Sequence, residues 1–260
     1  MQCYTWSICG RRKVNEDRHL VFLNLNKKKK NINAVDLLAV FDGHGGKGVS
    51  DFLYKKIKEL FIINEIDYNI ITIDKLYEYM DKIADELKRT HIIFSKKSGS
   101  TMCMGIRVTN NHIWILNCGD SRAVICNSND KAIPLTIDHK PCNKNEYDRI
   151  VKLGGQPIKE KNDDCRIKSL SVSRSFGDLD TSPYIIHTPD ITLYNISKHK
   201  FIIFACDGLW DVFENQEAVD FVLKLMKINN DICINYSEEL VKKAYSKKSY
   251  DNITVIVYFI

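Results

Sequence analysis

Short apolar, β-branched runs bounded by turn residues recur along this chain. They are Leu20 to Leu25, Asp36 to Phe41, Met102 to Thr109, His112 to Asn117, Ala123 to Cys126, Phe201 to Cys206 and Ile253 to Ile260. Each has the length and composition of a strand. Asn110-Asn111 separates two of them and predicts a hairpin, because Asn tolerates the positive φ of tight hairpin turns. Gly119-Asp120-Ser121 predicts a second turn. A helical period begins near Gly46, where Val49, Phe52, Leu53, Ile57, Leu60 and Phe61 share one face and Asp51, Lys55 and Lys58 the other. Ile73 to Phe94 carries Leu76, Met80, Ile83 and Leu87 at helical steps, which predicts a second helix. Further helices are expected over Asn145 to Leu153, Asn215 to Met226 and Ser237 to Ser246.

Strands, helices, more strands, a loop-rich stretch and then strand–helix–helix–strand do not make the strict alternation of a parallel sheet. The order predicts an α+β fold, an antiparallel sheet system with helices packed outside. With 260 residues, 44% of them hydrophobic and 27% charged, the chain can bury a full core. No repeat and no Pro/Gly-rich linker divides it, so residues 1–260 read as one domain.

The formal charge of +5 is thinly spread. Its one dense run, Lys27 to Lys30, sits among asparagines and reads as a solvated hairpin turn, not as a nucleic-acid or lipid site. Nine cysteines, an odd number without a CxxC pair, suggest neither a zinc ribbon nor a disulfide frame. Several lie inside apolar runs and behave there as small hydrophobes. A reducing compartment follows, the cytoplasm and also the nucleus. No basic-then-apolar leader opens the sequence, and no apolar stretch reaches the roughly 18 residues that span a bilayer. Gln2 excludes N-myristoylation. The expectation is a soluble monomer without membrane anchor or nucleic-acid partner.

The chemically informative residues are carboxylates where apolar runs stop. Glu16-Asp17 precedes the run at Leu20, and Asp42 ends Leu37 to Phe41 and leads into Gly43-His44-Gly45-Gly46. Asp207 ends Phe201 to Cys206 before Gly208, and Asp251-Asn252 precedes the final run. A single Asp-Gly is an ordinary turn. Two of them, each ending a run of five or six apolar residues, with Glu-Asp and Asp-Asn at two further strand ends, are not. Converging acids raise one another's pKa and need cations between them. Oxygen-only ligands select hard ions, Mg²⁺ or Mn²⁺, over zinc or copper.

With these residues placed, the chain resembles the type 2C protein phosphatases, also called the metal-dependent PPM phosphatases. The resemblance runs from Gly10 to Ile260 and rests on landmarks in family order. The first are Arg12-Lys-Val-Asn-Glu16-Asp17, Val40-Phe-Asp-Gly-His-Gly-Gly46, Ser98-Gly-Ser-Thr101 and Asn117-Cys-Gly-Asp-Ser-Arg122. Asp138-His-Lys-Pro141, Leu170-Ser-Val-Ser-Arg-Ser-Phe-Gly-Asp178, Ala205-Cys-Asp-Gly-Leu-Trp-Asp211 and Asp251-Asn-Ile-Thr254 follow.

The resemblance implies two packed antiparallel sheets flanked by helices, an αββα β-sandwich with the metal site at one end. It implies that Asp42 bridges two Mg²⁺ or Mn²⁺ ions, that the Gly43 carbonyl ligates one, that Asp207 and Asp251 complete the first ion's set, and that Glu16 serves the second. A water between the ions is then the nucleophile on phosphoserine and phosphothreonine esters of phosphoprotein substrates, its pKa lowered from 15.7 to around neutrality. Arg12 takes the phosphate-binding position, which suits a planar fork of donors. His44 protonates the leaving oxygen, and Asp17 orients metal-bound water. Asp120, with Asp207, is the candidate for a third, weaker ion.

About residues 139–174 correspond to the family's flap, which bears on substrate choice. The usual Arg-hydrophobic-Asn-Gly-x-Leu-Ala-Val-Ser-Arg stretch is here Arg166-Ile-Lys-Ser-Leu-Ser-Val-Ser-Arg174, one residue shorter and without the glycine. The lysine usual after Phe-Gly-Asp is missing from Asp178-Leu-Asp-Thr-Ser-Pro183. Three other readings compete with this one. An inactive scaffold of the family would have lost metal carboxylates, and Glu16, Asp42, Asp207 and Asp251 are all present. A cysteine phosphatase needs Cys-x5-Arg, and none of the nine cysteines has an arginine six residues on. A phosphatase of small metabolites is compatible with the metal site itself, so the preference for phosphoproteins comes from the resemblance.

Overall fold

A computed structural model describes residues 2–25, 35–63, 71–159, 164–228 and 234–260. The Lys27–Lys30 run and Cys233 lie outside the described residues. The strands are β1 (Cys3–Ile8), β2 (Arg18–Phe22), β3 (Asp36–Phe41), β4 (Gly43–His44), β5 (Gly99–Ser100), β6 (Met102–Arg107), β7 (His112–Cys118) and β8 (Arg122–Cys126). They continue as β9 (Ala132–Pro134), β10 (Ile158–Lys159), β11 (Cys165–Arg166), β12 (Phe176–Gly177), β13 (Asp190–Asn195), β14 (Phe201–Ala205) and β15 (Ile253–Phe259). The helices are α1 (Gly48–Lys58), α2 (Ile73–Thr90), α3 (Ile92–Ser95), α4 (Lys144–Lys152), α5 (Asp207–Trp210), α6 (Asn215–Ile228) and α7 (Tyr236–Ser246).

Two five-stranded antiparallel sheets carry the fold, ordered β1-β15-β14-β8-β9 and β13-β7-β6-β3-β2. The reason lies in the alternation of each inner strand. Leu38 and Val40 of β3 meet Phe204, Ile256 and Tyr258 of the other sheet, while Leu37, Ala39 and Phe41 turn outward onto α1 and α2. Val124, Ile203 and Val257 pack outward in the same way under α6 and α7. Both faces of each sheet are therefore buried, which is why these strands read as unbroken apolar runs. The layers are helix, sheet, sheet, helix, as expected for the α+β sandwich.

The departures have local causes. β1, β9 and β13 were not predicted; all three are edge strands, and β13 exposes polar residues such as Asp190, Thr192 and Asn195. The helix expected over Ile73 to Phe94 stops at Thr90, because His91 leaves helical geometry at φ −131° before α3 begins. The β6–β7 hairpin is present, but neither asparagine of its turn takes a positive φ. The turn is fastened instead by Thr109 Oγ1, which accepts from the Asn111 N–H at 3.2 Å, and by the Arg107 guanidinium on the Asn110 carbonyl at 3.1 Å. Cys142 and Cys165 are joined in a disulfide, contrary to the expectation that no cysteines pair. Nothing local in the sequence brings them together; the flap does. Among the described residues no helix is long and apolar enough to cross a membrane.

Candidate active site

A cavity of about 880 Å³ opens at one end of the sandwich and is lined by Arg12, Glu16, Asp42, Gly43, His44, Asp120, Asp207 and Asp251 among others. Asp42 sits between β3 and β4, and Asp207 opens α5 directly after β14, so the two sheets each deliver one acid from a strand end. Thr101 braces Asp42 from both sides: its N–H donates to the Asp42 carbonyl at 2.9 Å, and its Oγ1 accepts from the Asp42 N–H at 3.2 Å. Ser121 Oγ in turn lies 2.7 Å from Thr101 Oγ1. The Ser98–Thr101 and Asn117–Arg122 landmarks are thus the scaffold of this acid. Gly45 has φ +66°, and a Cβ there would stand 2.4 Å from the Lys97 carbonyl, so the turn into α1 needs glycine.

Asn252 organises the segment that carries Arg12 and Glu16. Its side-chain amide donates to the Cys9 and Val14 carbonyls at 2.8 and 2.9 Å, and its Oδ1 accepts from the Glu16 N–H at 2.8 Å. Arg12 reaches Asp251 with a guanidinium–carboxylate distance of 2.5 Å. Arg122, Asp138 and Trp210 play a structural part: Arg122 binds Asp138 through two nitrogens at 2.9 and 2.6 Å and stacks over Trp210. His139 accepts from the Gly119 N–H at 3.1 Å and fixes the turn that presents Asp120.

Asp42, Asp120 and Asp207 bring one carboxylate oxygen each within 4.8 Å of one another, and Asp17, Asp42 and Cys206 form a second such group. Glu16 and Asp251 line the same cavity but belong to neither group. Burial, then the neighbouring Asp207 and Asp17, raises the Asp42 carboxyl well above its ordinary value. Burial, then Asp120, Asp211 and Asp251, does the same to Asp207. Burial likewise pushes Asp17 up to about 6. Asp17 Oδ1 and Asp207 Oδ1 are buried without a hydrogen-bond partner among the described residues. Crowded acids with unsatisfied oxygens are what divalent cations complete, so these residues fit a metal site. Burial raises the Cys206 thiol well above its usual pKa, and the aspartate oxygens outnumber its sulfur in the donor set.

Asp17 is 3% exposed and accepts from Thr254 Oγ1 at 2.6 Å, which leaves its other oxygen toward the acids. His44 stands at the cavity rim with Nε2 2.7 Å from Asp178 Oδ2. Burial lowers the His44 pKa, but the Asp178 hydrogen bond and charge more than reverse this, and the net displacement is upward. The sequence reading gave Asp178 no role, because it ends no apolar run and lies 134 residues from His44. Lys140 was also passed over; its ammonium pairs with Asp120.

In the flap, the shortened turn, which lacks the family's glycine, is closed by an Ile167–Leu170 bridge with Lys168 at φ +54°. Lys168 is held there by its Nζ, which donates to the Asp180 carbonyl at 2.8 Å. Asp164, Arg166 and Ser169 to Val172 form the cavity wall on this side. At the flap's base Glu146 accepts from Arg174 at 2.6 and 3.0 Å and from Arg149 at 2.8 Å.

Residues 3–253 match the protein phosphatase 2C family. Protein phosphatase 1L of Bos taurus is 31% identical over 97% of this chain and 70% of that protein. The PP2C-like domain-containing protein R307 of Acanthamoeba polyphaga mimivirus is 41% identical over 57% of this chain and 94% of that protein. The crystal structure of a serine-threonine phosphatase 2C from Toxoplasma gondii superimposes with a TM-score of 0.79 at 22% identity, covering 99% of this chain and 94% of that one. The acidic cage, the sandwich that presents it and the match along almost the whole sequence agree. The chain belongs to the protein phosphatase 2C family, a family of metal-dependent enzymes, and is a protein serine/threonine phosphatase.

Proposed function

We propose that this phosphatase removes phosphate from phosphoserine and phosphothreonine side chains at a site that holds two Mg²⁺ or Mn²⁺ ions. The observation that carries the reading is the convergence of Asp42, Asp120 and Asp207 on a cavity that also receives Arg12 and His44, with Asp17 beside Asp42 and a buried oxygen unsatisfied on each of Asp17 and Asp207. Asp42, Asp207 and Asp251 would hold one ion and Asp42 with Glu16 the other, with the Gly43 carbonyl as a further ligand to one of them. When bound, such ions neutralise charge and lower the pKa of coordinated water, the chemistry that phosphate-ester hydrolysis needs. Asp120 with Asp207 would hold a third ion more weakly, a reading supported by the Lys140 ammonium already paired with Asp120.

The chain's own residues bind, orient and move protons. Arg12, its side chain 60% exposed at the rim, offers two parallel donors to phosphoryl oxygens. Asp17 orients the attacking water through the oxygen that Thr254 leaves open. His44 gives a proton to the leaving serine or threonine oxygen. Phosphate release from a phosphothreonine peptide with Mn²⁺, set beside release from a sugar phosphate, tests the reading. Turnover of the peptide alone supports it; no metal-dependent release from the peptide overturns it.

A further inference from the structure

The landmark Ser98-Gly-Ser-Thr101 contains a glycine whose purpose is visible only in three dimensions. β5 is the middle strand of a small sheet ordered β12-β5-β4, in which Gly99 faces His44 on one side and Gly177 on the other. Asp178 follows Gly177 directly. His44 and Asp178 therefore stand on opposite edges of this sheet and meet across the face of Gly99. A Cβ on Gly99 would lie 2.1 Å from Asp178 Oδ2 and 2.5 Å from His44 Nε2, so any side chain there would part the two. The glycine leaves the room that the 2.7 Å His44–Asp178 contact occupies.

Asp178 is itself held firmly. It is 3% exposed and adopts φ +51°, which aims its side chain back toward β4. Its N–H donates to the Ser98 carbonyl at 3.1 Å, its own carbonyl accepts from the Thr181 N–H at 2.8 Å, and Ser175 Oγ donates to Oδ2. A buried carboxylate that accepts from Nε2–H settles which nitrogen of the ring carries which proton. The other ring nitrogen makes no protein hydrogen bond among the described residues, and the ring lines the catalytic cavity.

We infer that Asp178 is a positioning residue for leaving-group protonation: it locks His44 with Nε2–H inward, so that Nδ1–H is presented to the departing oxygen. The inference rests on the reading of His44 as the general acid. In the step, the bond from phosphorus to the serine or threonine oxygen breaks as a bond from phosphorus to a water oxygen forms. The Nδ1 proton passes to the leaving oxygen and gives the free hydroxyl. The attacking water loses one proton to solvent, and Nδ1 regains one from it. Asp178 keeps its contact with Nε2 and transfers no proton.

The leaving group supplies the test. An alkoxide leaving from phosphothreonine needs the proton; the phenolate leaving from an aryl phosphate does not. Asp178→Asn should lower kcat on a phosphothreonine peptide by about 10²-fold while kcat on p-nitrophenyl phosphate stays within about threefold. His44→Gln should show the same selectivity, and the double variant should be no worse than the more impaired single one. Gly99→Ala, which parts the pair without touching either residue, should reproduce the pattern and keeps the test open where Asp178→Asn does not fold. Equal loss on both substrates in Asp178→Asn and Gly99→Ala would make the contact merely structural and overturn the inference. Selectivity in His44→Gln but not in the Asp178 variant would overturn the positioning role alone. Absence of selectivity in His44→Gln would overturn the reading of His44 beneath it.

Discussion

Arg12 and Asp251 are joined: the guanidinium meets the carboxylate at 2.5 Å, so the group proposed to hold phosphate and a group proposed to hold metal share one contact. Phosphate arriving at Arg12 and a cation arriving at Asp251 each offer one partner of this pair a stronger counter-charge. Binding of either should therefore favour release of the other partner.

Arg12→Ala should therefore raise KM for a phosphopeptide about tenfold and change kcat by less than about threefold, the signature of a group that binds ground and transition states alike. Arg12→Lys should recover only part of this, because an ammonium cannot bind two oxygens in parallel. Steady-state kinetics at saturating Mn²⁺ decide it. A pure loss in kcat would assign Arg12 to the transition state alone.

Asp207→Asn should reduce kcat by at least about 10²-fold, since a charged ligand becomes neutral. The same substitution should raise the melting temperature of the chelated protein by a few degrees. Burial and the neighbouring Asp120, Asp211 and Asp251 disfavour the Asp207 charge, and an amide there carries none. Calorimetry in chelator checks the second half. A variant both inactive and less stable in chelator would mean that Asp207 is needed chiefly for packing.

The pH dependence has two opposed arms. Burial raises Asp17 from about 3.8 to about 6 in the folded state, so its contribution to stability is present below about 3.8 and is lost as pH rises through about 6. Glu146 is opposite: burial would raise it, but hydrogen bonds from Arg174 and Arg149 bring it to about 2, so its contribution is complete above about 4.5 and is lost as pH falls toward about 2. In chelator, the melting temperature should decline by roughly 5 °C between about pH 5 and about pH 7.5. Millimolar Mn²⁺ should abolish that decline, and Glu146→Gln should flatten the acid arm. A flat profile in chelator would contradict the crowding of these acids.

The Cys142–Cys165 bond closes a loop of sequence separation 23 across the flap, for which chain entropy gives about 3 kcal/mol. Cys142→Ser should cost about that much under non-reducing conditions and nothing in excess dithiothreitol. In the native, unreduced protein these two sulfurs should resist alkylation, while the partly exposed Cys9 reacts. Alkylation of Cys142 in that state would show the pair to be open.

The inner strands were legible because both faces of each are buried, which writes a run of apolar residues into the chain. Asp42 and Asp207 were legible for the same reason: each interrupts such a run with a charge at its end. Edge strands such as β13 face other residues on one side only and left a weaker trace. Asp178 left none, since its meaning depends on His44, Gly99 and Ser175, brought together by a sheet whose strands have two residues each. The disulfide was invisible for a similar reason. Its partners flank no shared pattern, and the odd number of cysteines pointed away from pairing.

β15, with Asp251 just ahead of it, lies between β1 and β14, so the last strand is threaded into the sheet beside the first. During synthesis Arg12, Glu16 and Asp42 leave the ribosome more than two hundred residues before the segment that completes their cage. Until that segment arrives, its sheet lacks an inner strand and Asn252 cannot fasten the loop that carries Arg12 and Glu16. A copy cut short before Asp251 lacks both that carboxylate and the Asn252 contacts, and should show no metal-dependent phosphate release.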